Sequence, residues 1–181
     1  MIYRFVVGSE EAENFKLEIA IDSEDTFDRL RNVILDAAGY NKEQMDSFYI
    51  CDDEWNKEKE VTYMDMDSDS DVDLWIMEDT HLSELIDEEG QKLKFVFDYM
   101  TERYFYMRLK EMIPGKNLRD PLCESKVGKA PIETVDLEVY SDKFTKIETP
   151  SIDELDAEFY GDESFSDDEL TDLEELDSDT L

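Results

Sequence analysis

The chain has 181 residues, with 51 acidic against 18 basic side chains and a formal net charge of −33. A field of that sign repels nucleic-acid backbone and anionic lipid and attracts basic protein surfaces and cations, so direct nucleic-acid binding and membrane association are not expected. Hydrophobic residues at 40% and aromatics at 12% suffice for one core-bearing domain, with an acidic extension behind it.

Residues 3–7 and 15–21 both have strand character. In the second, Phe15, Leu17, Ile19 and Ile21 alternate with Lys16, Glu18 and Ala20, the period of a half-buried strand. The polar stretch 8–14 between them predicts a hairpin loop. Thr26 is placed to cap a helix, with Asp25 and Asp28 at its positive end. Phe27, Leu30, Val33, Ile34, Ala37 and Ala38 would form its apolar face, and Gly39 its stop. This ββα order predicts a β-grasp-like start.

A strand is expected at 48–51, followed by a very acidic hairpin over 52–79. Thr80 is expected to cap a short second helix through Ile86. Residues 93–98 and 104–112 predict a strand pair, with Leu93, Phe95 and Phe97 alternating on one and Phe105, Met107 and Leu109 on the other. Pro114-Gly115 breaks the chain, and 115–131 is expected to be irregular, with Lys116, Arg119, Lys126 and Lys129 as its basic residues. The fold class expected is α+β: a small mixed sheet, two helices and an acidic tail. The domain is placed at residues 1–135 and the extension, partly disordered or docked, at 136–181.

The last basic residue is Lys146, and the 35 residues after it carry no Lys or Arg. Ile152, Leu155, Phe159 and Tyr160 recur there at helical spacing, followed by Phe165, Leu170, Leu173 and Leu176. Acidic residues interleaved with apolar anchors resemble segments that order on a partner. Phe159, Tyr160, Phe165, Leu170 and Leu173 are the expected anchors. The expected partner is a basic protein surface, such as that of a DNA-binding protein, or residues 116–129 of the same chain.

Asp67, Asp69, Asp71 and Glu78 fall at calcium-loop spacing, which makes them weak candidates for a cation site. Val72 stands where the sharp turn of such a loop wants Gly, and an exposed acidic hairpin gives the same letters. His81, the one histidine, is expected at the surface in a first helical turn. Cys51 and Cys123 lack CxxC spacing and are expected as reduced thiols in a cytoplasmic protein. No P-loop, GxGxxG or GxSxG motif occurs, so neither a catalytic residue nor a cofactor is expected. Tyr99, Tyr104, Phe105 and Tyr106 with Arg103 and Arg108 have the composition of a base-stacking platform, or of an ordinary strand with its tyrosines on the wetter face, and the surrounding negative field favours the strand. A pocket near Tyr99, Arg103, Lys116 and Arg119 is the alternative expectation, for an enzyme or small-ligand binder.

Phe97-Asp98-Tyr99 and, later, Pro121-Leu122-Cys123 with Gly128-Lys129-Ala130-Pro131-Ile132-Glu133 carry a resemblance. With the helix at 26–38, Asp46-Ser47-Phe48 and the apolar residues 82–86, they follow in the order of the plasmid pRi ORF-3-like domain family. Some of its members are labelled insertion-element passenger TnpR proteins. The resemblance covers residues 1–135 and implies a mobile-element association without an established activity. Met100-Thr101-Glu102-Arg103 stands where the family often has Gly-Asp-Asp-Trp, and Gln44 or Asp46 and Phe105 stand where many members carry histidines. The leading expectation is a non-enzymatic protein-binding module; a weakly calcium-responsive acidic module is the third.

Overall fold

The computed structural model describes residues 1–65 and 74–134. The chain divides into two units, Met1–Thr134 and Val135–Leu181, and the first is the one described here. Its fold is mixed α+β. An eight-stranded sheet in the order β5-β4-β3-β6-β7-β1-β2-β8 packs one face under the helix α1 (Phe27–Ala38). The strands are β1 (Ile2–Gly8), β2 (Lys16–Asp22), β3 (Ser47–Cys51), β4 (Lys57–Thr62), β5 (Trp75–Ile76), β6 (Lys92–Asp98), β7 (Arg103–Ile113) and β8 (Leu122–Val127). The second helix, α2, is the single turn Leu82–Leu85.

The alternating strands sort their side chains as their period requires. Phe5, Leu17, Ile19, Phe48, Leu93, Phe95, Phe105 and Met107 point inward, each fully excluded from solvent. Rings run in contact across this face. Phe27 meets Phe48 at 5.4 Å between centroids, Phe48 meets Phe95 at 4.7 Å, and Phe105 meets Phe97 at 4.7 Å and Phe15 at 5.2 Å. Such tilted pairs add to the stabilisation that area burial gives.

Helix α1 begins as expected, with the Thr26 hydroxyl accepting from the Arg29 amide at 3.4 Å, and ends at Gly39. Its buried face is rotated from the one expected. Phe27, Leu30, Arg31, Ile34 and Leu35 are buried, while Val33, Ala37 and Ala38 are only partly covered. The reason is an ion pair. The Arg31 Nε donates to both Asp46 oxygens, at 2.7 and 2.8 Å, and Nη2 donates to the Lys42 and Gln44 carbonyls at 2.7 and 3.1 Å. The guanidinium also lies 3.8 Å from the Tyr63 ring centroid. Arg31 and Asp46 are 1% and 2% exposed, so a charged residue holds a core position that an apolar pattern does not reveal.

Four local expectations are corrected. The sheet is large rather than small, because β4, β5 and β8 join it. Residues 115–131 are not irregular throughout, since β8 pairs antiparallel with β2. The stretch 52–79 is not one hairpin, because β4 turns back antiparallel on β3 but pairs parallel with β5. Thr80 does not cap α2; its carbonyl accepts from the Phe27 amide at 3.1 Å, and His81 is the N-cap.

Burial pushes the Asp46 carboxyl up to about 6, against the pull of Arg31's hydrogen bonds and charge. Between the ordinary carboxylate value and 6 the folded chain holds a proton there that the unfolded chain lacks. The contribution of Asp46 to stability therefore falls as pH rises through that window and levels off above it. Denaturation of wild type and Asp46→Asn between pH 4 and 7 should show wild type losing ground to the variant as pH rises; parallel curves would refute the assignment. At pH 7 the variant, which strands a buried guanidinium, should lose roughly 3–5 kcal/mol. The double replacement Arg31→Met with Asp46→Leu should lose less than Asp46→Asn alone.

Candidate functional site

The chain leaving α1 is drawn down by Arg31 through residues 42–46, and this sets Gln44 and Met45 beside the ends of β4 and β6. Together with the turn after β6 they enclose a groove of about 660 Å³, with Met45, Leu74, Phe97, Tyr99 and Met100 as its apolar lining and Glu60 and Asp98 as its acidic lining. Met100, Leu74 and Tyr99 are 78%, 44% and 40% exposed, a concentration of accessible apolar surface that water does not favour. Methionines, unbranched and polarisable, suit a wall that must adapt to what it contacts.

The polar side of the groove is ordered. Glu60 Oε1 accepts from the Tyr49 hydroxyl at 2.7 Å, the Ser47 hydroxyl at 2.9 Å and the Tyr99 hydroxyl at 3.4 Å. Ser47 and Tyr99 also contact each other through their hydroxyls. Burial, with the Glu60 charge beside them, raises both phenols above the ordinary tyrosine value, so they remain neutral donors. Asp98 shapes the turn: Oδ1 accepts from the Met100 amide at 3.0 Å and Oδ2 from the Thr101 hydroxyl at 2.6 Å. The groove holds carboxylate acceptors and an apolar wall, a lining complementary in chemistry to a cationic, partly apolar group.

Of the residues expected to share a pocket, only Tyr99 lines this groove. Arg103 is 4% exposed and belongs to a clasp. Its Nε and Nη2 donate to Glu11 at 2.8 Å, and its remaining donors reach the Ile132 and Glu133 carbonyls at 2.6 and 3.1 Å. The Tyr40 hydroxyl donates to the Pro131 carbonyl at 2.6 Å, and Glu133 Oε1 accepts from the Asn41 amide at 2.8 Å. Arg119 lies at the opposite end of α1, where its carbonyl accepts from Arg29 Nη2 at 3.2 Å. A helix of 12 residues sets those ends about 18 Å apart. Lys116 is exposed in the loop after β7.

The remaining expected residues divide between described and undescribed parts of the chain. Asp67, Asp69 and Asp71 lie outside the described residues, as do Phe159, Tyr160, Phe165, Leu170 and Leu173. Glu78 is exposed. His81 is a surface residue at the start of α2; its amide donates to Glu84 Oε1 at 2.8 Å, and its Nδ1 lies 2.6 Å from the Glu24 carbonyl. Cys51 and Cys123 are free thiols. No helix among the described residues is long and apolar enough to cross a membrane.

The geometry gives the signature residues physical roles. Phe97 fills the core, Asp98 builds the turn and Tyr99 enters the groove. Gly128 sits at φ +72, where a Cβ would come within 2.3 Å of the Asn14 carbonyl oxygen, so no side chain fits between β8 and the β1–β2 loop. Pro131 and Glu133 are the residues that Tyr40 and Asn41 hold. Of the positions at which the resemblance implies histidines, Gln44 lines the groove, Asp46 is paired with Arg31 and Phe105 lies in the core.

The model of the plasmid pRiA4b ORF-3-like protein family matches residues 10–175. The chain belongs to that family. The match runs past residue 135 to 175, so most of the acidic stretch that the resemblance left out falls within the family's span. No curated protein matches the chain. Among solved structures it is similar to a protein of unknown function from Methanosarcina mazei Go1, with a TM-score of 0.56 and 13% identity, over 86% of this chain and 85% of that one. At that identity the likeness shows the fold alone.

The clasp makes a prediction of its own. Arg103→Ala removes donors to two carbonyls and a carboxylate, and should cost on the order of 2 kcal/mol. Amide exchange should accelerate at Asn41 and across residues 128–133 while β3 and β6 stay protected. Unchanged exchange in these segments would show that the clasp does not hold the end of the unit.

Proposed function

We propose that this protein is a non-enzymatic binding module whose groove at Tyr99 receives a basic, amphipathic segment of a partner protein. One observation carries the reading: an exposed wall of Leu74, Tyr99 and Met100, with half-buried Met45, stands beside the fixed carboxylates of Glu60 and Asp98. A partner with alternating apolar and cationic side chains would bury the first and pair with the second. The acidic residues 147–181 would steer such a partner at long range, with Phe159, Tyr160, Phe165, Leu170 and Leu173 as further anchors. Two free thiols fit a cytoplasmic setting, and the mobile-element association belongs to the same proposal. A DNA-binding protein is one partner with a surface of this kind.

A fluorescent model helix of leucine and lysine tests the reading. Met100→Asp with Tyr99→Ala should weaken its binding at least tenfold, since both remove apolar contact at the groove. Removal of residues 147–181 should slow association and flatten its salt dependence while leaving the groove variants' effect in place. Equal affinity for wild type and the groove double variant would sink the groove as the site; an unchanged association rate after truncation would sink the steering role.

A further inference from the structure

The sheet face turned away from α1 carries an arrangement that the acidic composition hides. Alternation in β6 sends Leu93, Phe95 and Phe97 into the core and Lys92 and Lys94 to this outer face. Tyr104, Tyr106, Arg108 and Lys110 join them from β7. The register sets Lys92 directly opposite Arg108, with Cys51 on Lys92's other side and Lys57 opposite Cys51. Like charges paired across strands destabilise a sheet. Arg4, Lys16 and Lys110 on the same face have carboxylate partners. Among the described residues Lys57, Lys92, Lys94 and Arg108 have no carboxylate within ion-pair range, and the Lys92 ammonium donates to the Asp53 carbonyl instead.

Aromatic rings interleave with these cations. Lys57 lies 4.2 Å from the Tyr49 ring centroid, Lys94 4.8 Å from Tyr104 and Lys92 5.3 Å from Trp55. Trp55 and Tyr106 meet edge to face, 6.0 Å apart at 77°. Trp55, Tyr104, Tyr106, Lys94 and Glu10 enclose a cleft of about 400 Å³. Two costs maintain it. Trp55 is held at φ +68, a strained conformation for a bulky residue, inside a turn in which Asp52 Oδ1 accepts from the Glu54 and Asn56 amides at 2.8 Å each. Gly8, opposite Tyr106 on β1, leaves room for that ring; a Cβ there would come within 2.7 Å of it.

We propose that this face binds a nucleotide, its base in the aromatic cleft and its phosphate on the row formed by Lys57, Lys92 and Arg108. The Trp55–Tyr106 corner offers one ring face for stacking and one edge for contact. Glu10, at the cleft wall, accepts from an amino or hydroxyl group of the ligand and does not suit a bare anion. The cleft volume lies in the range of small-ligand sites. The chain's net charge opposes a long polyanion and weighs much less against a ligand of one or two phosphates. The same chemistry comes from two sources, a free nucleotide or a short single strand.

The test uses the full chain carrying Trp75→Phe, so that Trp55 is the only tryptophan. Fluorescence is followed during titration with AMP, an eight-base single-stranded oligonucleotide, inorganic phosphate and a peptide of residues 152–176. Quenching by AMP or the oligonucleotide is expected, with affinity falling at least tenfold in Lys92→Gln with Arg108→Gln and in Gly8→Val. Tighter binding of AMP than of the oligonucleotide marks a free nucleotide as the source; the reverse marks a single strand. Melting curves of the Lys92→Gln with Arg108→Gln variant, which removes the repulsion between the two but also the Lys92 contacts to the Asp53 carbonyl and the Trp55 ring, separate a loss of binding from a loss of fold. The proposal is overturned if neither nucleotide ligand quenches at millimolar concentration, if phosphate alone competes as well as AMP, if the variants bind like wild type, or if only the peptide binds.

Discussion

A guanidinium buried beneath α1 organises more of this unit than any single apolar contact. Arg31 gathers the Asp46 carboxylate, the Lys42 and Gln44 carbonyls and the Tyr63 ring around one planar group. Those partners come from the loop after α1 and from the chain just beyond β4, so the pair fixes how the sheet's far half meets the helix. It also places Gln44 and Met45 at the groove. An apolar residue at position 31 could fill the volume, but it could not hold the loop after α1 by its Lys42 and Gln44 carbonyls. Desolvating two charges is costly, and the hydrogen bonds to otherwise unsatisfied carbonyls offset part of that cost.

The sheet divides the unit's chemistry between its two sides. The covered side is almost wholly aromatic and aliphatic. The other side is polar, and its basic residues concentrate on the central strands β6 and β7 while acidic residues crowd the loops. Net charge describes neither side well. With a screening length of about 8 Å at physiological salt, a ligand at the centre of the outer face responds mainly to the nearest side chains. A basic segment at the Tyr99 groove, as proposed, would respond to Glu60 and Asp98 for the same reason.

How much of this was legible follows from which signals are local. The alternation in β2, β6 and β7 and the Thr26 and Gly39 ends of α1 are written in neighbouring residues, and the structure has them where the sequence puts them. β8 has the letters Leu-Cys-Glu-Ser-Lys-Val and is exposed along most of its length, so no buried face marks it as a strand. β4 opens Lys-Glu-Lys-Glu, which has the letters of a solvated loop, and only Val61 reaches the core. The helix face was misplaced because Arg31 counts as polar in any pattern, and its partner Asp46 is brought to it by the fold. The order of family motifs was readable, but the roles of Gly128, Pro131 and Glu133 depend on Asn14, Tyr40 and Asn41, which are distant in sequence. Of the outer-face residues, Lys92 and Lys94 did carry a signal, since two lysines in phase opposite Leu93, Phe95 and Phe97 must share one side. Within the candidate groove, Tyr99 was legible from the Phe-Asp-Tyr signature, whereas Met45 and Leu74 are brought to it only by the fold.

An open sheet has two borders, and here they differ. Among the described residues β5 ends one side with two residues, too short to template a neighbour. β8 ends the other with six residues that expose Leu122 and Val127. Among the described residues, strand addition between copies therefore has one usable border. Two copies joined there antiparallel would be related by a twofold axis and would leave only the short borders outward. Growth into a fibre needs two usable borders, and the described residues present one.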